Sequence, residues 1–512
     1  MTPLQLSDTD PAELAVDAIV VGLHATNGTG RAGPLLAPGA ESVAVAFEGR
    51  LAETLGLLGA TGAVGEVTKL ATLGTVSAPV IAAVGLGPVP DEDGVPGETL
   101  RRAIASAIRA LAGAGRVAVA LPLPDDHASE ADGIRALAEG ALLGAYRFAG
   151  YKTKPQPGRR DPVRSVVLHV ADAADKTARA EIKRAGIVTS AVTRTRDWVN
   201  TAPNDLRPPA FAAQVAEAAA DAGLGVEVLD EKALRKAGFG GILAVGMGSE
   251  APPRLVSISY APKGATRSIA LVGKGITFDT GGYAVKPPQG MWEMKSDMSG
   301  AAAIAAVMVA LTALKPKVRV TAHLPMAENM ISGTSYRPGD VVTMYGGTRV
   351  EILNPDAEGR IILADALVRA QEDAPDYLFE TSTLTGGQVV ALGKRVAGVM
   401  GDAALCERVR AAGDRVGEPA WPMPIPDEVR KGMDSEVADI SQTNSGMDRA
   451  GHMLQGGAFL REFVTEGLPW VHLDIAGPAY HAGEPTGYWT KGGTGVPVRL
   501  LLELIDDIAA NG

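Results

Sequence analysis

SIALVGKGITFDTGGYAVK, residues 268–286, carries the reading of the fold. Its first six residues, SIALVG, form a short apolar run of the kind found in a buried strand. The run breaks at once into KGITFDTGGYAVK, where Lys274, Asp279 and Lys286 stand among glycines. A strand that ends in a charged, glycine-rich loop fits an open α/β sheet, in which functional groups collect where strands end. Each charge alone also has an ordinary explanation. A strand-end Lys is usually solvated, and an Asp before Thr-Gly-Gly usually turns the chain.

The same alternation runs outward from this stretch in both directions. Before it, VDAIVVGL (16–23), SVAVAF (42–47), VIAAVGLG (80–87), RVAVALPL (116–123) and SVVLHVAD (165–172) read as strands. Between them, residues 98–115 and 131–148 read as Ala-rich helices. Around and after it, VEVLD (226–230), RLVSISYA (254–261), VRVTAHLP (318–325), VEILN (350–354), YLFETSTL (377–384) and WVHLDIAG (470–477) read as strands with helices between. Alternation of this kind predicts an α/β protein. A chain of 512 residues exceeds one ordinary core, so more than one domain is expected. A polar helical stretch followed by the Pro- and Asn-dense VNTAPNDLRPPA (199–210) marks the division. The boundaries drawn are 1–172, a linker helix at 173–199, and 200–512.

Composition narrows the function classes. The net charge is −11 and no basic stripe is present, which disfavours nucleic-acid binding. One cysteine, Cys406, rules out an intrachain disulfide and a Cys-rich zinc site, and suits a reducing compartment. The seven histidines are scattered, with no H-E-x-x-H. The start, MTPLQLSDTDPAEL, lacks the basic and apolar regions of a signal peptide. AAAIAAVMVALTAL (301–314) is short for a membrane span and reads as a buried helix. A cytoplasmic protein is expected, with no membrane association.

Two further stretches carry charge at element ends. Asp297, in EMKSDMSGAAA, opens the apolar helix and reads on its own as an N-cap. NPDAEGR (354–360) reads as an extended loop that would place Asp356, Glu358 and Arg360 on one side, or as a turn with a local ion pair. Four acidic residues (Asp279, Asp297, Asp356 and Glu358) thus lie at element ends beside glycines. Packed together they would repel unless cations neutralised them. Carboxylate ligands suit Mg²⁺ and Mn²⁺ and also bind Zn²⁺, and four of them suggest a pair of ions.

VGKGITFDTGGYAVKP, EMKSDMSGAAA and NPDAEGRI, in this order and at these separations, resemble the leucyl aminopeptidase (cytosol aminopeptidase) family. The resemblance extends to RDWVNTAPNDLRP (196–208), TSTLTGGQVVALG (381–393), WVHLDIAG (470–477) and KGGTGVPVRLL (491–501), nearly the whole second part. It implies a smaller N-terminal α/β domain and a larger C-terminal catalytic domain with a central mixed sheet flanked by helices. It also implies a metallo-exopeptidase that removes the N-terminal residue, preferably Leu or Met, from peptides with a free N-terminus. The attacking group would be a hydroxide bridging two divalent ions, Mn²⁺ or Zn²⁺. By motif position, Lys274, Asp279, Asp297 and Glu358 would hold one ion. Asp279, Asp356 and Glu358, with the Asp356 carbonyl, would hold the other. Lys286 and Arg360 match the catalytic pair, with bicarbonate at Arg360. Met294, Thr383, Leu384, Gly386 and Ala476 match substrate-binding positions. The family assembles as a homohexamer.

The chain departs from the family at Pro355, usually Thr, at Thr280, usually Ser, and at Gly493, usually Ala. None of these removes a ligand. Two rival readings of the same residues are a two-metal phosphoesterase and a non-catalytic binding or scaffold protein. No G-x-x-x-x-G-K-[ST], and no G-x-G-x-x-G after a strand, supports the first. Retention of Lys286 and Arg360 argues against the second.

Overall fold

The computed structural model describes residues 2–26, 33–90, 94–124, 127–154, 156–447 and 450–512. The chain divides into two compact units, Met1–Thr193 with Gly483–Lys491, and Arg194–Ala482 with Gly492–Gly512. The division falls inside one long helix, Lys176–Asn200. A nine-residue segment from the far end of the chain thus belongs to the first unit, which no local pattern announces.

The first unit is built on a seven-stranded sheet. Its order is Leu4–Ser7, Ser165–His169, Arg116–Ala120, Ala18–Ala25, Val80–Pro88 and Val67–Ala71, with Leu35–Leu36 added to Ala18–Ala25. The four central strands are parallel and nearly wholly buried, which explains their continuous apolar runs. Helices Gly97–Ala110 and His127–Gly144 pack together, with Arg101 buried between Glu98 at 2.7 Å and Glu139 at 2.8 Å. SVAVAF, expected as a strand, lies instead largely in a short helix, Glu41–Ala46. Only Val43 of that helix is buried, so its alternation reports a one-residue contact, not a pleat.

The second unit carries a nine-stranded mixed sheet. Its order is Ala420–Pro422, Ala397–Gly401, Trp470–Asp474, Tyr377–Ser382, Ser268–Gly273, Arg319–Asn329, Arg254–Tyr260 and Gly225–Leu229, with Gly275–Asp279 on Arg319–Asn329. Trp470–Asp474, Tyr377–Ser382 and Ser268–Gly273 run parallel side by side at its centre. Their carboxyl ends therefore open on one edge. Helix Ser299–Leu314 packs on these strands and is buried along most of its length. Its small side chains permit that approach, and its Ala301 N–H donates to the Lys274 carbonyl at 2.9 Å. Met291–Leu314 is long and apolar enough to cross a membrane, but 78% of its most apolar window is buried inside the protein. VEILN contributes only Arg349–Glu351, to a separate three-stranded sheet.

Candidate active site

Three adjacent strand ends deliver the site. Ser268–Gly273 ends at Lys274, Tyr377–Ser382 at Thr383 and Leu384, and Trp470–Asp474 near Ala476. Asp474 ties the last two together. One of its oxygens accepts from the N–H groups of Leu384 and Ala476, at 3.2 and 3.1 Å, and the other from the Thr385 hydroxyl at 2.7 Å. Such shared acceptors fix two loops to one carboxylate and leave few backbone donors orphaned.

Asp279 closes the next strand, Gly275–Asp279, and the chain turns through Gly281 at φ +86°. A Cβ on Gly281 would stand 2.5 Å from the Ala284 carbonyl and 2.8 Å from Asp356 Oδ1, so the turn and the carboxylate can meet only over glycine. Lys286 follows, with Nζ 2.6 Å from both Asp279 Oδ2 and Asp356 Oδ1.

NPDAEGR is not an extended loop. Pro355–Ala357 form a short 3₁₀ turn that feeds directly into helix Glu358–Gln371. Asn354 starts it by accepting the Asp356 N–H at 3.0 Å, and Pro355 takes the first helical position, where a missing N–H costs nothing. The Pro355 carbonyl accepts from Asn329 Nδ2 at 3.0 Å and from the Tyr336 hydroxyl at 2.8 Å. The proline in place of the family's threonine thus keeps the turn. Helical winding separates the three charges that a pleat would have aligned. Asp356 and Glu358 reach the cavity, whereas Arg360 is buried with Nη1 on the Gln442 carbonyl at 2.8 Å and does not line it.

Asp297 is not an N-cap either. Met298 occupies that position without a side-chain cap bond. The Asp297 carboxylate turns instead to Lys274 Nζ, at 2.7 Å, and to the Thr383 hydroxyl, at 2.7 Å. Lys274 also lies 2.9 Å from Glu358 Oε1 and 3.1 Å from the Thr383 carbonyl. It passes over Gly359, where a Cβ would stand 2.4 Å from Lys274 Cε.

These groups line a cavity of about 440 Å³. Of the residues singled out from sequence, Lys274, Asp279, Lys286, Met294, Asp297, Asp356, Glu358, Thr383, Leu384, Gly386 and Ala476 all border it, and Arg360 alone does not. Asp279, Asp297, Asp356 and Glu358 face two ammonium groups, and Glu293 is a fifth carboxylate on the wall. Burial pushes Glu358 up to about 8, reinforced by the charge of Asp279. Burial likewise pushes Asp297 up to about 6 and raises Asp356. For both lysines burial acts downward, but the surrounding carboxylates outweigh it and hold them charged. Burial brings Arg360 down to about 10, against the pull of Glu358 and Asp474.

The donor set fits divalent metal. Asp279, Asp356 and Glu358 each offer a carboxylate oxygen, all within 4.8 Å of one another. Asp297 Oδ2 and Glu358 Oε2 are buried and accept no hydrogen bond. A buried carboxylate oxygen without a donor is costly, and a cation satisfies it.

Some supporting residues left no trace in local sequence. Gln442 straps the turn, accepting from the Leu353 and Asn354 N–H groups and donating to the Ala357 carbonyl. Asn329 bonds both Asp279, at 2.8 Å, and Pro355. Each lies far along the chain from what it holds. His472 is buried and paired with Glu380, outside the cavity lining.

An α/β unit with an acid-rich, lysine-bearing cavity at parallel strand ends has the form of a metal-dependent hydrolase. Comparison with known proteins agrees and goes further. Residues 193–502 match the model of the cytosol aminopeptidase family, catalytic domain, and residues 20–155 that of the same family's N-terminal domain. A probable cytosol aminopeptidase of Streptomyces griseus is 50% identical over 100% of this chain and 99% of its own. One from Rhodococcus opacus is 47% identical over 97% of this chain and 96% of its own. Among solved structures, the bottromycin maturation enzyme BotP, also solved in complex with Mn, superposes with a TM-score of 0.81. It is 35% identical and covers 97% of this chain and 100% of its own. The chain belongs to the cytosol aminopeptidase family, and is accordingly a metallo-aminopeptidase, a hydrolase acting on peptides.

Proposed function

We propose that this enzyme removes the N-terminal residue, with preference for Leu or Met, from peptides bearing a free α-amine, at a site holding two divalent ions. Lys274, Asp279, Asp297 and Glu358 would hold one ion, and Asp279, Asp356 and Glu358, with the Asp356 carbonyl, the other. The observation that carries this reading is the convergence of the Asp279, Asp356 and Glu358 carboxylates on one cavity. When bound, the ions supply Lewis-acid polarisation of the scissile carbonyl and activation of water. Mn²⁺ or Zn²⁺ suits this oxygen-rich set with a lysine nitrogen.

The chain's own groups supply the rest. A free α-amine offers a lone pair to a divalent ion, whereas an internal amide or an acylated N-terminus does not, so the site would select the peptide's N-terminal residue. Lys286 borders the cavity, with its side chain 23% exposed, and donates to the carbonyl oxygen as negative charge develops there. Ligation by Lys274 requires loss of its proton. Arg360 anchors the turn through Gln442, and its buried Nε, which has no partner, is a donor that a bicarbonate ion would satisfy if one reached it. Met294, Leu384 and Ala476 give an apolar wall to the first side chain, and the Thr383 hydroxyl is committed to Asp297. A cytoplasmic location, as the relatives' name suggests, and a homohexamer, as the family resemblance implies, complete the reading.

The test compares Leu-p-nitroanilide with its N-acetyl form. The free amine should be cleaved in the presence of Mn²⁺ or Zn²⁺ and not after chelation, and the acetylated form should be inert. Equal cleavage of the two would exclude recognition through the amine.

A further inference from the structure

The first unit contains a second cavity, of about 300 Å³, that shares no lining residue with the active site. Arg109, Arg147, Arg160 and Lys491 border it, and no carboxylate does. Arg147 is paired with Asp161 at 3.0 Å. Among the described residues, Arg109, Arg160 and Lys491 have no carboxylate partner. In a chain of net charge −11, three uncompensated cations around one small hollow are unexpected. Arg109 is half-buried at the end of helix Gly97–Ala110. Its Nη2 donates to the Gly487 carbonyl, while its Nη1 is buried and has no partner. The Thr490 hydroxyl at the same cavity is also buried and unpartnered. Burial alone lowers the Arg109 pKa, with no neighbouring charge to offset it. A guanidinium left this way costs free energy that an anion would return.

We propose that this cavity binds a small organic anion, a phosphate or carboxylate head on a flat apolar body. The guanidinium of Arg109 and the Thr490 hydroxyl would take the head, since the planar fork of Arg matches both kinds of oxyanion. Ile108 and Phe148 give the body an apolar wall. The volume matches one ring with its head group, being about twice the ~150 Å³ hollow that holds a benzene ring. A nucleic-acid strand would call for a stripe of charge along a groove, whereas these cations stand around a single small hollow open to solvent on one side.

Calorimetric titration of the metal-loaded full chain with phenyl phosphate, benzoate and inorganic phosphate tests this. Phenyl phosphate or benzoate should bind one per chain, whichever binds tighter naming the head group, and inorganic phosphate more weakly. R109Q should weaken that binding by about tenfold or more, as loss of a charge-assisted contact predicts. R160Q, at an exposed residue, should weaken it without altering the melting temperature, so that any loosening of residues 483–491 in R109Q is separable. Asp356→Ala should leave it intact, which separates this site from the active-site cavity. No saturable heat up to about 5 mM, the range of the weakest specific affinities, overturns the proposal. So does binding that survives R109Q and R160Q or disappears in Asp356→Ala, or displacement of phenyl phosphate by a single-stranded oligonucleotide that binds more tightly.

Discussion

Gly359 is where a single hydrogen atom sets the geometry of the site. It sits inside helix Glu358–Gln371, where alanine is preferred by about 1 kcal/mol. A methyl group there would meet Lys274 Cε at 2.4 Å, and Lys274 is pinned by Asp297, Glu358 and the Thr383 carbonyl. The two effects oppose each other. Gly359→Ala should lower the thermal stability of metal-free protein, because displacing a buried ammonium held by two carboxylates outweighs the helix gain. It should lower metal occupancy by elemental analysis, and kcat/KM by at least about tenfold, equivalent to ~1.4 kcal/mol. A variant with wild-type turnover would show that the place of Lys274 is not critical. At this scale the sequence was legible for the charged residues themselves, because glycine and strand ends mark them. It was misleading for their directions. Arg360 was expected beside Glu358, but Pro355 starts a helical turn that sends it inward to Gln442. Asp297 resembled a cap because the competing partner, Lys274, lies 23 residues earlier.

Elements hold these residues through contacts that are long-range and polar. Asp365, two turns beyond Glu358, is buried on the same helix, and its oxygens accept from the Ile242 N–H at 2.9 Å and the Tyr345 N–H at 2.8 Å. It thereby ties the helix to two other segments. Burial pushes its pKa up to about 7, against the effect of those backbone donors. A carboxyl whose folded pKa is raised binds its proton more tightly in the native state. Its contribution is therefore full below about pH 4 and is lost as pH rises through about 7. Asp365→Ala removes both acceptors and the titration. Urea unfolding of EDTA-treated protein should show wild type more stable than the variant, with a gap on the order of 2 kcal/mol larger at pH 5.5 than at pH 8.5. A gap that is constant or grows with pH would contradict the raised pKa. Elements with strong periodicity, such as the three central parallel strands, were readable because both faces are buried. Half-exposed strands such as Val67–Ala71 carry no such run and went unread. SVAVAF shows the converse, since six residues of alternating apolar character do not distinguish a strand from a helix touching the core at one point.

For the whole molecule, the sequence offered a change of pattern between 173 and 210, whereas the two compact units divide at Thr193 inside one helix, and nothing local announces the return of Gly483–Lys491 to the first. Next in the chain to residues that line the active-site cavity, Val285 and Trp292 are exposed, Trp292 at 61%, and Tyr283, also exposed, bonds the Ser332 carbonyl next to exposed Ile331. Four large exposed apolar side chains within these short segments are more than the scattered exposure usual on a soluble surface. Burying them against further copies of the chain is the assembly that the proposed hexamer provides, with each copy's cavity opening beside its neighbour. Light scattering should then give a mass about six times the 52.6 kDa of the chain. Trp292→Asp places a charge where apolar surface would be covered, at a cost of several kcal/mol per contact if it is desolvated. It should shift the mass toward smaller species without unfolding the chain, because a side chain this exposed contributes little to the fold of a single copy. A wild-type chain that remains monomeric at about 10 μM, well above the dissociation constants of stable interfaces, would remove the hexamer and leave these apolar side chains exposed.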